Sequence, residues 1–106
     1  MRFIRMATHT EEFYRSPPPN FGELLAAHKG WLAEQKKSGR LIDAYLLAGN
    51  AQGDRNVFVW EFGSTDEIDK AVWEDPIGFT FKWEVYPAVD IFEHIDNVLP
   101  AFGHKG

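Results

Sequence analysis

The sequence contains no cysteine among its 106 residues. Disulfide scaffolds, thiolate nucleophiles and cysteine-based zinc sites are excluded together. A concentrated run of basic residues is also missing. Sixteen acidic residues (16) stand against 11 basic ones, for a formal net charge of -5. Nucleic acid, which needs a positive footprint, is therefore a poor partner. No apolar stretch has the length of a signal peptide or a membrane span, so the expectation is a cytoplasmic protein with no membrane partner. Glycine-rich phosphate loops, solenoid-period repeats and low-complexity segments are absent too. What is present suits a single domain over 1–106: the chain is 44% hydrophobic and 15% aromatic, enough for one packed core.

The rest of the chain is organised around 20–39, NFGELLAAHKGWLAEQKKSG. Asn20 is a good N-cap residue and Glu23 follows three positions on, the spacing of a capping box. Lys36 and Lys37 suit a last turn, and Gly39 suits the left-handed residue that closes a helix. With about 100° per residue, Phe21, Leu24, Leu25, His28, Trp31, Leu32 and Gln35 share an arc of about 120°. The apolar face thus has a histidine at its centre and Gln35 nearly in line two turns later. Such a histidine has two readings. It is a core residue bonded to a quiet partner, or it lines an internal pocket and moves a proton.

Residues 2–8 read as a strand carrying Phe3, Ile4 and Met6. Residues 9–20 read as a loop in which Pro17, Pro18 and Pro19 forbid regular structure. Phe13 and Tyr14 in that loop serve as a core plug or as a lid. A second strand is expected over 41–48, a hairpin connection over 49–56 and a third strand over 57–62. Ser64 and Glu67 form a capping-box pattern that opens a second helix, which stops before the Asp75-Pro76 step. Residues 76–87 are ambiguous, although the alternation of Phe79, Phe81, Trp83 and Val85 argues for a strand. Residues 88–95 are a further strand candidate, followed by a short tail. The resulting order, β-α-β-β-α-β, is the ferredoxin-like α+β pattern: an antiparallel four-stranded sheet with both helices on one face.

In the second helix, Ile68, Ala71 and Val72 form the inward stripe, and Asp75 continues it. The two helices lie side by side in this fold, so His28 and Asp75 are candidates to meet. A carboxylate beside an imidazole fixes its tautomer, as a general base requires. The plainer reading of Asp75 is a helix-end aspartate bonded to local amides. Other candidates are weaker. His9, Glu11 and Glu12 are close enough for a metal, but exposed loops of this kind are usually solvated, so no metal site is expected. His94 and His104 have no visible partner. Ser64 is better explained as a cap than as a nucleophile. Tyr45 is placed to donate to a substrate oxygen or to pack.

The runs AAHKGWLAEQKKSGRLIDAYLLAG and STDEIDKAVWEDPIG resemble the first helix with its following strand, and the second helix with its Asp-Pro end, of the YCII-related proteins. The wider group is the dimeric α/β-barrel superfamily, which includes muconolactone isomerase. The resemblance implies that His28 and Asp75 match the family's His-Asp pair. It further implies cofactor-free proton transfer on a small cyclic or aromatic compound, of the lyase or isomerase kind, including dehydrochlorination. Trp31, Gln35, Tyr45 and Phe79 are the expected substrate-binding residues. A non-enzymatic small-ligand-binding domain and a cofactor-free monooxygenase of the same superfamily are the alternatives, and fold alone does not choose among them. The loop over 10–19 and the aromatic-rich segment after Asp75 depart from the family pattern, so the substrate does not carry over.

A partner is also expected. Leu46, Leu47 and the run VFVW leave no polar face on their strands. A sheet covered by helices on one side only would then expose a large apolar patch. Two sheets stacked face to face would remove it, giving a homodimer or a larger ring. Trp73, Val98, Leu99 and Phe102 are candidates for further contacts between subunits.

Overall fold

Alternation along the first strand sets up the molecule. In the computed structural model, which describes residues 1–48 and 55–104, β1 (Arg2–His9) turns Phe3, Arg5 and Ala7 inward, each at most 1% exposed. Ile4, Met6 and Thr8 point to the opposite face of the sheet. β1 is central. It pairs antiparallel with β3 (Arg55–Glu61) on one side and with β4 (Phe81–Ala88) on the other. β2 (Leu41–Leu47) adds outside β3, so the four-stranded order is β2-β3-β1-β4. The register sets Phe3 opposite Trp60 and Arg5 opposite Phe58.

Two helices cover the inner face. α2 (Phe21–Lys37) connects β1 to β2, and α3 (Thr65–Trp73) connects β3 to β4. α2 ends as its sequence requires: Gly39 has φ 84°, and the Arg40 amide donates to the Gln35 carbonyl at 3.0 Å. Its start differs from the expected capping box. The Asn20 side chain makes no cap bond, and the Asn20 carbonyl instead accepts from the amides of Glu23 and Leu24, both at 3.1 Å. The Ser64 cap does form, its hydroxyl accepting from the Glu67 amide at 3.3 Å, while Glu67 reaches back to the Gly63 amide at 3.0 Å. The core between helices and sheet holds Phe3, Phe58, Trp60 and Phe81 from the strands and Ile68, Ala71 and Val72 from α3. Removing a large apolar side chain of this kind from water contributes about 2 kcal/mol.

The open face of the sheet carries Ile4 and Met6 of β1, Val57 and Val59 of β3, Tyr45 and Leu47 of β2, and Tyr86 of β4, with the charged Arg2, Asp43, Arg55, Glu61, Lys82 and Glu84 around them. This face is apolar at its centre, as the strand composition suggested.

Three expectations need correction. The segment expected as loop contains a short helix, α1 (Glu11–Arg15), capped by the Thr10 hydroxyl, which accepts from the Phe13 amide at 3.2 Å. The triple proline ends it. Within 76–87, Phe79 lies in a single 3-10 turn, Gly78–Thr80, and the alternation becomes a strand only from Phe81. The strand candidate over 88–95 is a helix, α4 (Ile91–Val98), followed by a 3-10 turn, Leu99–Phe102. The Asp90 carboxylate caps it by accepting from the Glu93 amide at 3.0 Å. The expected hairpin turn falls almost wholly outside the described residues. No described helix is long and apolar enough to cross a membrane.

Candidate functional site

α2 buries two residues, and both are polar: His28 and Gln35. α3 ends at Trp73 with Glu74 as its cap, and the chain turns at once through Asp75-Pro76. That turn is tightly bonded. The Ile77 amide donates to Asp75 Oδ1 at 3.1 Å, and the Gly78 amide donates to the Asp75 carbonyl at 3.0 Å. The carboxylate is thereby aimed between the helices, where His28 Nδ1 lies 2.6 Å from Asp75 Oδ1. Both side chains are buried. A hydrogen bond of this length between an imidazole and a carboxylate is charge-assisted. Because the carboxylate is ionised, the Nδ1–H donates, and Nε2 is the nitrogen left with a lone pair.

The second carboxylate oxygen has its own partner. Arg5 Nη1 donates to Asp75 Oδ2 at 3.2 Å, with both side chains fully buried. The guanidinium lies against the rings of Trp83, Phe58 and Phe81, its central carbon 4.9, 5.1 and 5.8 Å from their centroids. Burial lowers the Arg5 pKa, and Asp75 opposes that shift by charge and hydrogen bonding. For Asp75, burial pushes the pKa up, but the hydrogen bond and charge of His28, the Ile77 amide and the Arg5 charge together hold it below the ordinary value. Helix α2, the end of α3 and the central strand thus meet in one buried group, Arg5–Asp75–His28.

Aromatic rings wall the imidazole. Trp31, Phe58 and Phe81 have centroids 6.3, 6.2 and 6.4 Å from His28. Trp31 in turn packs on Trp60 at 5.5 Å. Among the described residues, five buried polar atoms have no hydrogen-bond partner: Trp31 Nε1, Trp60 Nε1, Gln35 Oε1, and Arg5 Nε and Nη2.

His9 forms a second cluster beside the first. Its ring stacks between Phe13 and Phe81, at 3.9 and 4.4 Å. The Thr80 hydroxyl donates to the Ile77 carbonyl at 2.6 Å, so it accepts from His9 Nδ1, 3.1 Å away. Burial lowers the His9 pKa, hydrogen bonding to Thr80 opposes this, and the nearby His28 lowers it further. Phe13 is half-buried against His9 and Phe21, while Tyr14 stays exposed. Among the described residues no group of three or more His, Asp or Glu side chains is placed to hold a metal ion.

Of the residues singled out in the sequence, His28 and Asp75 come together with Trp31 beside the imidazole, and Gln35 is buried on the same helix two turns on. Tyr45 does not: it pairs with Val57 on the open face, across the sheet from His28. The bulge between Leu41 and Asp43 sets which β2 side chains point inward. Phe79 is exposed and lines a cavity of about 230 Å³ with Thr10, Phe13, Pro18 and Thr80. Arg5 was missed. Ile4 and Met6 make the opposite face of β1 look like the buried one. Only the inward Phe3-Arg5-Ala7 alternation could have revealed it.

Neither a family model nor a curated protein matches this sequence. Among solved structures, the chain is similar to 5-chloro-2-hydroxyhydroquinone dehydrochlorinase from Burkholderia phenoliruptrix AC1100, in its complex with 2,5-dihydroxybenzoquinone. The two share 19% identity with a TM-score of 0.63, over 84% of this chain and 94% of the other. The chain has a ferredoxin-like α+β architecture and shares its fold with that dehydrochlorinase.

Proposed function

We propose that this protein is a cofactor-free lyase or isomerase that acts by proton transfer on a small cyclic or aromatic compound. The observation that carries this reading is the 2.6 Å contact between His28 Nδ1 and Asp75 Oδ1. His28 Nε2 is the base. It takes a proton from an activated carbon or hydroxyl of the ring compound. Returned to another carbon of the same molecule, that proton gives an isomer. If an anion such as chloride departs as the electron pair moves, the net reaction is elimination of the acid. Asp75 holds the imidazole in the required tautomer and stabilises the imidazolium that forms. Arg5 fixes the other carboxylate oxygen, so that Oδ1 remains on His28.

Trp31 and Gln35 supply a ring face and polar atoms for the substrate, and Trp60 and Phe81 flank them. The similar solved structure is a dehydrochlorinase holding a dihydroxybenzoquinone, which supports a hydroxylated ring as the substrate class here. The resemblance of the two helix-containing runs to YCII-related proteins supports the same pairing of His28 with Asp75. The reading includes a homodimer joined through the open sheet face, because the Ile4, Met6, Val57 and Val59 surface would otherwise meet water.

The test is solvent-deuterium exchange into hydroxylated ring compounds followed by NMR. His28→Ala should lower the exchange rate by about 10²–10⁴-fold, and Asp75→Asn should lower it too. A second reading, a ligand-binding domain without chemistry, is favoured by the depth of the group: Arg5, Asp75 and His28 are 0%, 5% and 7% exposed. Binding with no exchange in the wild type would select that reading, and oxygen consumption would select a monooxygenase.

A further inference from the structure

We infer that 89–104 is an arm that docks on a second copy of this chain. β4 is an edge strand and ends at Ala88, where the chain leaves the sheet. α4 and the following 3-10 turn then pack mainly on each other. The molecule is correspondingly long. Its radius of gyration is 17.0 Å and its longest extent 59 Å, against roughly 13 Å for the radius of a compact domain of this length. Ile91, Ile95, Val98, Leu99 and Phe102 fall on one stripe of the arm. Ile91, Ile95 and Phe102 are exposed on it, with neighbouring Phe92 75% exposed. An amphipathic element that keeps its apolar stripe off its own domain is built to cover something else.

The occupant is narrowed by charge and by the open sheet face. A membrane surface is disfavoured, because the polar side of the arm carries Asp90, Glu93 and Asp96 and no lysine or arginine. A second copy fits, because the same chain presents the complementary requirement: an open sheet face, apolar at its centre, that reaches Tyr86 on the edge strand from which the arm leaves. A twofold interface needs both features on one chain.

This inference rests on the homodimer of the proposed reading, and the experiment separates the two. Sedimentation equilibrium on the full chain gives the dimer dissociation constant for the wild type, for Ile95→Glu with Phe102→Glu in the arm, and for Val59→Glu on the open face. Circular dichroism checks that each variant is folded. The expected result is a wild-type dimer whose dissociation constant rises at least tenfold in the arm variant and in the face variant. The thermal midpoint of the wild type should also rise with protein concentration, as docking between chains requires. A wild-type mass of 12.2 kDa at every concentration overturns both the dimer and the arm. A dimer weakened by Val59→Glu but unchanged in the arm variant overturns the arm alone. A concentration-independent loss of thermal midpoint in the arm variant shows the arm folded on its own body, and also overturns it.

Discussion

Arg5 and Asp75 are 70 residues apart in the chain and form a fully buried ion pair, Nη1 to Oδ2 at 3.2 Å. The same carboxylate holds His28, so the pair sits behind the candidate base. Removing one partner of such a pair leaves the other charge buried and alone, which typically costs about 3–5 kcal/mol. Arg5→Met is expected to lower unfolding stability by that order, and Asp75→Asn by at least as much, since it leaves the Arg5 guanidinium buried without a counter-charge and weakens the bond to His28. The double variant should lose less than the sum, with a coupling of about 1–3 kcal/mol. Urea unfolding of the four proteins measures this. Strictly additive losses would show that the contact carries no net interaction.

The tautomer of His28 follows from geometry. With Nδ1 committed to Asp75 at 2.6 Å, the neutral ring should carry its proton on Nδ1 and its lone pair on Nε2. Two-bond nitrogen–proton correlation spectra distinguish the two tautomers directly. Asp75→Asn should weaken the preference, and Arg5→Lys should preserve it. A wild-type His28 protonated on Nε2 would remove the base from the proposed mechanism.

Much of this arrangement was readable before the fold. Periodicity put His28 and Gln35 on the inward arc of one helix and Asp75 on the inward stripe of the other, and burial supports each placement. Helix signals are local, so they survive without tertiary information. The strands were harder. On β1 the open face carries Ile4 and Met6 while the inner face carries Arg5, which inverts the usual rule that the charged side is the wet one. Tyr45 was misplaced because a bulge in β2 sets its phase, and a bulge has no strong sequence signature. α4 was read as a strand because a window of eight residues holds too few turns to separate the two periods. The apolar residues spaced 91, 95, 98 and 102 resolve it only when the tail is read with it.

Acid should destabilise the protein in two windows. Asp75 is held below its ordinary value in the fold. Its contribution is complete above the ordinary aspartate range and is lost as pH falls through the folded value. His9 is also depressed, chiefly by burial. The folded protein therefore resists protonating it, and stability is lost as pH falls through the histidine range. Unfolding free energy measured against pH should show a shallow fall in the histidine range and a steeper one in the carboxylate range. His9→Gln should flatten the first and Asp75→Asn the second. An unaltered profile in either variant would contradict the corresponding assignment.

Gly78 is the residue that allows the Asp75 turn to close. A Cβ there would lie 3.2 Å from the Val72 carbonyl oxygen, 3.4 Å from Asp75 Cβ and 3.5 Å from the Trp83 ring. The first neighbour is helix backbone and yields little. The second belongs to the carboxylate that positions His28, and the third packs on Arg5. Any relief of the new methyl must therefore push α3, Asp75 or the ring under the guanidinium. Gly78→Ala is expected to destabilise by about 1–3 kcal/mol, the usual range for overpacking. It should also loosen the His28 contact, seen as a less uniform tautomer in the same nitrogen spectra. Gly22, with open space around its position, serves as the control: Gly22→Ala should be neutral or stabilising, since alanine favours the helix. Equal stability of the two alanine variants would show that the 75–80 turn tolerates displacement and does not set the geometry of the dyad.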